Sequence, residues 1–180
     1  MKPIVDHVQV TVRDMAVAVP FYDQLLPLLG FSKESRVSTV VEKHWFENFY
    51  REATARYRID ADRVYLTGPS LGGSGTWYIA ARYPGTFAAI APMSGFTSHL
   101  DYIDKNIDKL LDMPVWTFHG KLDTVVPFEE TERIVRRLEG RNMGLRFSAE
   151  PDLGHGIHWQ VYPGREIYDW FLRYDRRSRK

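Results

Sequence analysis

A serine set between glycines is the strongest candidate for chemistry in this sequence. The pattern Gly-x-Ser-x-Gly occurs as Gly68-Pro69-Ser70-Leu71-Gly72, between a predicted strand and a predicted helix. A nucleophile on so tight a turn needs small residues two positions away on each side, because larger side chains would collide. We therefore expect Ser70 to be a nucleophile near the positive end of the following helix. The Leu71 N–H is expected to point toward a developing oxyanion.

An acid and a histidine follow this serine in chain order. Asp123 lies in His119-Gly120-Lys121-Leu122-Asp123, just after a predicted strand, and His155 lies between two glycines after the next one. Serine, aspartate, histidine is the order of the α/β-hydrolase catalytic triad, and parallel sheets place their sites at the carboxyl ends of strands. A phosphate-binding loop is disfavoured because no lysine follows the glycines.

Other histidines and aspartates are alternatives. His158 follows His155 by three residues but lacks flanking glycines, so it is the weaker candidate for the base. Asp152 and Asp101 are alternative acids that fit the chain order less well than Asp123. His119 is expected to pack or to form hydrogen bonds rather than to react.

The elements that must position these residues alternate along the chain. Strands are predicted at 4–12, 36–41, 63–67, 87–93, 115–119 and 145–150, and helices at 14–29, 42–57, 71–83, 101–111, 129–138 and 166–174. This alternation predicts an α/β fold, a mostly parallel sheet with helices on both faces. Five aromatic residues are expected to be core or pocket wall: Trp77, Tyr78, Trp116, Trp159 and Trp170.

Composition excludes several classes of protein. The chain has 180 residues, 44% hydrophobic, no cysteine and a net charge of +1, which predicts a single domain over 1–180. Balanced charge argues against binding to nucleic acid or to an anionic membrane. Without cysteine there is no thiol nucleophile, disulfide or zinc–thiolate site. No signal peptide or membrane span is recognisable, so a cytoplasmic location is expected.

Most of the chain resembles a known family. From about Trp45 to Tyr174, it is similar to the C-terminal part of an α/β-hydrolase carboxylesterase of the feruloyl-esterase and phospholipase/carboxylesterase type. The resemblance is carried by Tyr57 to Gly68 leading to Ser70, Ala81-Arg82-Tyr83-Pro84, Phe87 to Pro92, His119 to Pro127, and Gly154-His155. It implies Ser70 as nucleophile, His155 as general base and acid, and Asp123 as the residue that orients the imidazole. It further implies hydrolysis of a small-molecule ester through an acyl-enzyme, without a cofactor.

The first part of the chain resembles something else. Asp6 to Met15, continuing through Pro20-Phe21-Tyr22-Asp23 to Phe31, is similar to the opening β-α unit of the vicinal-oxygen-chelate superfamily, the glyoxalase relatives. In that superfamily a histidine at the position of His7 is often a metal ligand, but the other ligands have no counterparts here, and no metal site is expected. The chain therefore resembles a hybrid, a glyoxalase-like unit at 1–40 integrated into the sheet of a truncated hydrolase core at 45–175.

The substituted unit affects the expected chemistry and assembly. The hydrolase family takes its second oxyanion donor from a His-Gly loop after an early strand, and no such loop precedes Ser70. The N–H groups of Arg13, Asp14 and Met15, near a predicted helix start, are candidate replacements. Lost strands would expose a sheet edge and apolar helix faces, which predicts a homodimer. The short connection between Gly95 and Pro114 predicts an open, shallow acyl pocket.

These observations favour a serine carboxylesterase acting on small, short-acyl esters. One alternative is a weak or inactive hydrolase remnant with a binding or structural role. Another is a metal-dependent lyase or dioxygenase based on the N-terminal unit.

Overall fold

The computed structural model describes residues 45–98 and 101–178. In this part the chain divides into two compact units, with the boundary between Asp60 and Ala61. The elements predicted at 4–12, 14–29 and 36–41 lie outside the described residues, as do Arg13, Asp14, Met15 and His7. The single domain over 1–180 stays a prediction.

The first unit contributes one described helix, α1 (Trp45–Arg56). Phe46 and Ala53 are buried residues at helical spacing, and the rings of Phe46 and Tyr50 stack with centroids 5.9 Å apart. The Tyr57 N–H donates to the Ala53 carbonyl at 3.0 Å and completes the last turn. The predicted helix at 42–57 is thus present over its described part.

The second unit is built on a four-stranded parallel sheet. Its strands are β1 (Tyr65–Pro69), β2 (Ala89–Met93), β3 (Val115–Gly120) and β4 (Leu145–Glu150), adjacent in that order. This confirms the predicted parallel α/β fold. Strand β1 lies two residues later than the strand predicted at 63–67, because its pairing with β2 continues through Gly68 and Pro69.

Helices connect the neighbouring strands. The helix α2 (Leu71–Arg82) joins β1 to β2, and α4 (Phe128–Leu138) joins β3 to β4. Crossovers between parallel strands are right-handed in nearly all proteins, and for strands in this order that rule places the helices on one face of the sheet. The connection from β2 to β3 contains α3 (Asp101–Asn106), which continues into a 3₁₀ turn (Ile107–Leu110). The sequence predicts a single helix over 101–111 instead. The side chain of Asn106 donates to the Tyr102 carbonyl at 2.8 Å, and its backbone leaves helical geometry there.

The chain after β4 covers the other face of the sheet. It forms a 3₁₀ turn (His155–Ile157), α5 (His158–Val161) and α6 (Glu166–Phe171), shorter than the helix predicted at 166–174. The buried cluster between sheet and helix consists of Ala89, Ala91, Met93, Trp116, Phe118, Ile157, Tyr162, Ile167, Trp170 and Phe171. Helices therefore cover both faces, as predicted. None of the helices within 45–98 and 101–178 has the length and apolar character needed to cross a membrane.

Three of the five aromatic residues expected in the core or a pocket wall are core residues. Trp77, Trp116 and Trp170 are buried, and the last two meet edge to face with centroids 5.5 Å apart. Trp159 is not a core residue, because 72% of its surface is exposed. It lies on α5, a short helix without buried residues.

The end of β3 lies very close to the loop that follows β4. A Cβ atom on Gly120 would lie 2.2 Å from the Leu153 carbonyl oxygen. The Leu122 N–H also donates to that oxygen at 2.9 Å. Only glycine at position 120 lets these two loops meet.

We predict that Gly120→Ala destabilises the protein by about 2 kcal/mol, since backbone must move to admit the methyl group. Gly85→Ala is the matched control, because a Cβ there meets nothing within 4 Å. That control should change the free energy of unfolding by less than about 0.5 kcal/mol. Urea unfolding followed by circular dichroism measures both, and equal stabilities would contradict the close approach.

Candidate active site

Ser70 lies on a strained turn between β1 and α2. Its backbone adopts φ 55° and ψ −121°, in a region that residues with a Cβ rarely occupy, at a typical cost of about 1–3 kcal/mol. The Ser70 N–H donates to the Met93 carbonyl of β2 at 2.9 Å. The neighbouring strand therefore holds the strained residue in place.

The glycine two residues before this serine is needed for space. A Cβ atom on Gly68 would lie 2.6 Å from the carbonyl oxygen of Gly72. The turn brings these two backbone segments into contact. This contact is the physical reason for a glycine at position 68, as the sequence pattern predicted. Any side chain at position 68 would force the turn open and move the Ser70 hydroxyl.

Three side chains from the ends of three strands form one hydrogen-bonded chain. His155 Nε2 lies 2.9 Å from Ser70 Oγ, and His155 Nδ1 lies 2.8 Å from Asp123 Oδ2. An ionised carboxylate only accepts hydrogen bonds, so Nδ1 carries the proton in the neutral ring and Nε2 is left as the acceptor for the serine hydroxyl. The geometry thus places an unprotonated ring nitrogen of His155 within hydrogen-bond distance of the Ser70 hydroxyl.

The carboxylate of Asp123 is fully buried and accepts three hydrogen bonds from N–H groups of the described residues. The backbone N–H groups of Val125 and Val126 both donate to Oδ1 at 2.9 Å. Oδ2 is approached by His155 and, at 3.2 Å, by His119 Nε2. Burial acts to raise the pKa of Asp123, but the hydrogen bonds from Val126, His155 and Val125 outweigh it, and the net pKa is lowered. Asp123 is therefore an anion at neutral pH.

His119 is buried behind this carboxylate. Its Nδ1 lies 2.8 Å from Thr131 Oγ1 on α4, and its Nε2 lies 3.1 Å from the Val126 carbonyl oxygen. Burial is the main reason that its pKa is lowered. A hydrogen-bonding role was expected, but the sequence did not indicate that the shared partner would be Asp123.

The alternative residues lie outside this chain of hydrogen bonds. Asp152 and Asp101 are exposed, and the latter pairs with Lys105. Burial, then the nearby charge of His155, lowers the pKa of His158. The Nδ1 atom of His158 is buried and has no hydrogen-bond partner in the described part of the chain.

The amino end of α2 is adjacent to the serine. Leu71 is the first residue of this 12-residue helix, so its N–H has no acceptor one turn earlier within the helix. The helix dipole adds partial positive charge at the same place. Arg13, Asp14 and Met15, the predicted second source of donors, lie outside the described residues, and their role stays a prediction.

Among residues 45–98 and 101–178, no three histidine or carboxylate side chains are grouped so that they could hold a metal ion. His7 lies outside these residues.

A carboxylate on α4 fixes the loop that follows β2. Glu130 Oε2 accepts the backbone N–H groups of Thr97 and Ser98, each at 2.8 Å. Burial acts to raise the pKa of Glu130, but the hydrogen bonds from Ser98 and Thr97 outweigh it and lower the pKa. Sequence reasoning missed this contact, because its partners are more than 30 residues apart.

Comparison with known proteins identifies the family. Residues 30–161 match the model of the phospholipase/carboxylesterase family. The chain belongs to this family. The resemblance of the first residues to the vicinal-oxygen-chelate superfamily is a separate matter and stays a prediction.

Curated relatives of this phospholipase/carboxylesterase family member share moderate identity. A Salmonella typhimurium protein provisionally named as a carboxymethylenebutenolidase is 31% identical over 130 residues, which cover 64% of this chain and 48% of that protein. A poly(3-hydroxyoctanoate) depolymerase of Pseudomonas fluorescens is 32% identical over 116 residues, covering 63% of this chain and 41% of the depolymerase. The chain thus spans about half the length of the curated relatives it matches.

A solved structure of a thermostable esterase is similar to this family member with a TM-score of 0.65 and 28% identity. The similarity covers 72% of this chain and 36% of the esterase. It supports the α/β-hydrolase architecture of the sheet and its helices.

We predict that Glu130→Gln lowers stability at pH 7 by about 1 kcal/mol, since a neutral amide accepts hydrogen bonds more weakly than a carboxylate. The folded state lowers the pKa of Glu130, so its contribution is present above the unfolded pKa and is lost as the pH falls through the folded pKa. Urea midpoints of the two proteins should therefore converge below about pH 4.5.

Glu129→Gln is the matched control, an exposed glutamate on the same turn of α4. It should have a smaller effect at every pH. A Glu130→Gln deficit that stays constant from pH 7 to pH 3 would contradict a role for the ionised carboxylate.

Proposed function

We propose that this protein is a serine carboxylesterase that hydrolyses small, short-acyl esters through an acyl-enzyme intermediate. The observation that carries the proposal is the continuous chain of hydrogen bonds from Ser70 Oγ through His155 to Asp123, with the serine on a strained turn. Membership in the phospholipase/carboxylesterase family supports an ester as the substrate.

The geometry suggests two matched half-reactions. As Ser70 Oγ attacks the ester carbonyl carbon, its proton passes to His155 Nε2, and Asp123 stabilises the imidazolium. The same proton then moves to the alcohol oxygen as the ester bond breaks, leaving an acyl group on Ser70. Water repeats the sequence, releasing the acid and restoring the serine.

The negative oxygen of each tetrahedral intermediate needs hydrogen-bond donors. We assign the Leu71 N–H as the first, because it begins α2 beside the nucleophile. Arg13, Asp14 and Met15 are our candidates for the second. Loss of one such donor typically lowers the rate by about 10² to 10³.

The proposed substrate class rests on the family and on the chain itself. One relative, from Neocallimastix patriciarum, is named a bifunctional acetylxylan esterase/xylanase, 26% identical over 129 residues that cover 72% of this chain and 18% of that protein. The short connection between Gly95 and Pro114 leaves little chain for a cap over a long acyl group.

A homodimer and a cytoplasmic location are further proposals. Light scattering on a sizing column tests the first, and cell fractionation tests the second.

A serine-directed organophosphonate should form one covalent adduct, on Ser70. We expect Ser70→Ala to abolish the adduct and to remove most hydrolysis of p-nitrophenyl acetate, because no other hydroxyl is paired with His155 among the described contacts. Mass spectrometry of the intact protein and its peptides locates the adduct.

Ser148→Ala is the control for this experiment, a serine on β4 that accepts a hydrogen bond from Trp116. It should retain both labelling and activity. EDTA should leave the rate unchanged. Loss of activity that a divalent metal restores would support the lyase or dioxygenase alternative, and an intact protein that is neither labelled nor active would support the remnant.

The two neighbouring histidines should differ sharply in importance. We predict that His155→Ala lowers kcat/KM by about 10³ or more. His158→Ala should change it by less than about threefold, since of these two histidines it is His155 whose ring contacts Ser70 and Asp123 in the described part of the chain.

Steady-state kinetics at pH 7 measures both effects. A reversed ranking of the two variants would contradict His155 as the base.

A further inference from the structure

Two imidazoles share one carboxylate oxygen in this structure. Asp123 Oδ2 lies 2.8 Å from His155 Nδ1 and 3.2 Å from His119 Nε2. The hydroxyl that reacts in the proposed function is connected only to His155 among the described hydrogen bonds. The second histidine is therefore left without a place in the mechanism above.

The protonation state of His119 follows from its surroundings. Its side chain has no exposed surface, and Nε2 faces two acceptors, Asp123 Oδ2 and the Val126 carbonyl oxygen. Nε2 must therefore carry a proton, because two acceptors would otherwise face its lone pair. Since burial keeps the ring neutral, Nδ1 is left as the acceptor of the Thr131 hydroxyl proton.

This arrangement ties His119 to both sides of the acid. Val126 accepts from His119 through its carbonyl and donates to Asp123 Oδ1 through its N–H. The turn that contains Val126 thus holds Oδ1 of Asp123, and the His119 ring approaches Oδ2. Without the His119 ring, only His155 would hold Oδ2 among the described residues, and His155 is the group that must be positioned.

We propose that His119 is a positioning residue of the esterase, whose neutral Nε2–H fixes Asp123 Oδ2 in line with His155, and that Thr131 selects the required tautomer. This proposal rests on the proposed function for its kinetic consequence. Its structural consequence, an ordered hydrogen bond between Asp123 and His155, does not depend on turnover.

The groups around His119 leave it no competing charge. The titratable or charged groups that act on it, among the described residues, are Asp123 and His155. From α4 it meets the hydroxyl of Thr131 and the edge-on ring of Phe128, with centroids 5.6 Å apart. Asp123 is thus the one anion within hydrogen-bond distance in this part of the chain.

Two amide variants of His119 distinguish the role of its Nε2 atom from the role of its Nδ1 atom. The amide nitrogen of His119→Gln reaches the position of Nε2 and can still donate to Asp123. That of His119→Asn reaches only the position of Nδ1, near Thr131. We expect His119→Asn to lower kcat about tenfold with KM within about twofold, a loss typical of one hydrogen bond to a charged group, and His119→Gln to retain kcat within about threefold.

Proton NMR gives a readout that needs no substrate. The Nδ1–H signal of His155, assigned by its absence in His155→Ala, should persist in His119→Gln and be weakened by exchange in His119→Asn. The proposal would be overturned if both variants lost kcat equally, in proportion to their loss of unfolding free energy, and showed the same His155 signal. A parent without ester turnover would refute the proposed function, and the NMR comparison would still decide this inference.

A second pair covers the case in which His119→Asn does not fold. Thr131→Val removes the hydroxyl that fixes the tautomer. Thr117→Val removes an equally buried hydroxyl, which donates to the Pro92 carbonyl on the same sheet. We expect Thr131→Val to lower kcat about threefold and to weaken the His155 signal, and Thr117→Val to do neither. Equal kcat and equal signals in these two variants would also overturn the proposal.

Discussion

Burying a carboxylate is costly unless every lone pair that loses water finds a donor. Asp123 is in this position, since its side chain has no exposed surface. The turn that follows it supplies two backbone N–H groups to one oxygen, and two imidazoles approach the other. Because those donors come from three separate segments, satisfying the charge also fixes where His155 lies, and through it the distance to Ser70.

The sheet makes this convergence possible. Parallel strands place their carboxyl ends at one edge, so the residues after β1, β3 and β4 meet there. The approach of Gly120 to the Leu153 carbonyl brings the loops after β3 and β4 into contact. The hydrogen bond from Ser70 N–H to Met93 fixes the serine to β2. Side-chain geometry at the site is thus a consequence of backbone packing.

Local patterns explain what could be predicted from the sequence. Gly68 reflects a backbone contact only four residues along the chain, and the order of Asp123 and His155 follows from strands that each end beside them. Contacts that depend on tertiary packing were missed. Glu130 binds a loop more than 30 residues away, and the start of β1 depends on its pairing with β2 rather than on its own composition.

Differences in burial explain how the His155 and His119 rings, which approach the same carboxylate of Asp123, can have different roles. The side chain of His155 is 26% exposed, whereas that of His119 is fully buried. A positive charge is poorly solvated in a closed interior, so burial lowers the pKa of His119 and keeps it neutral. The proton that leaves Ser70 in the proposed reaction therefore stays on His155, where solvent and the substrate's leaving group can reach it. The arrangement allows two imidazoles to approach Asp123 while only one of them takes up the serine proton in the proposed reaction.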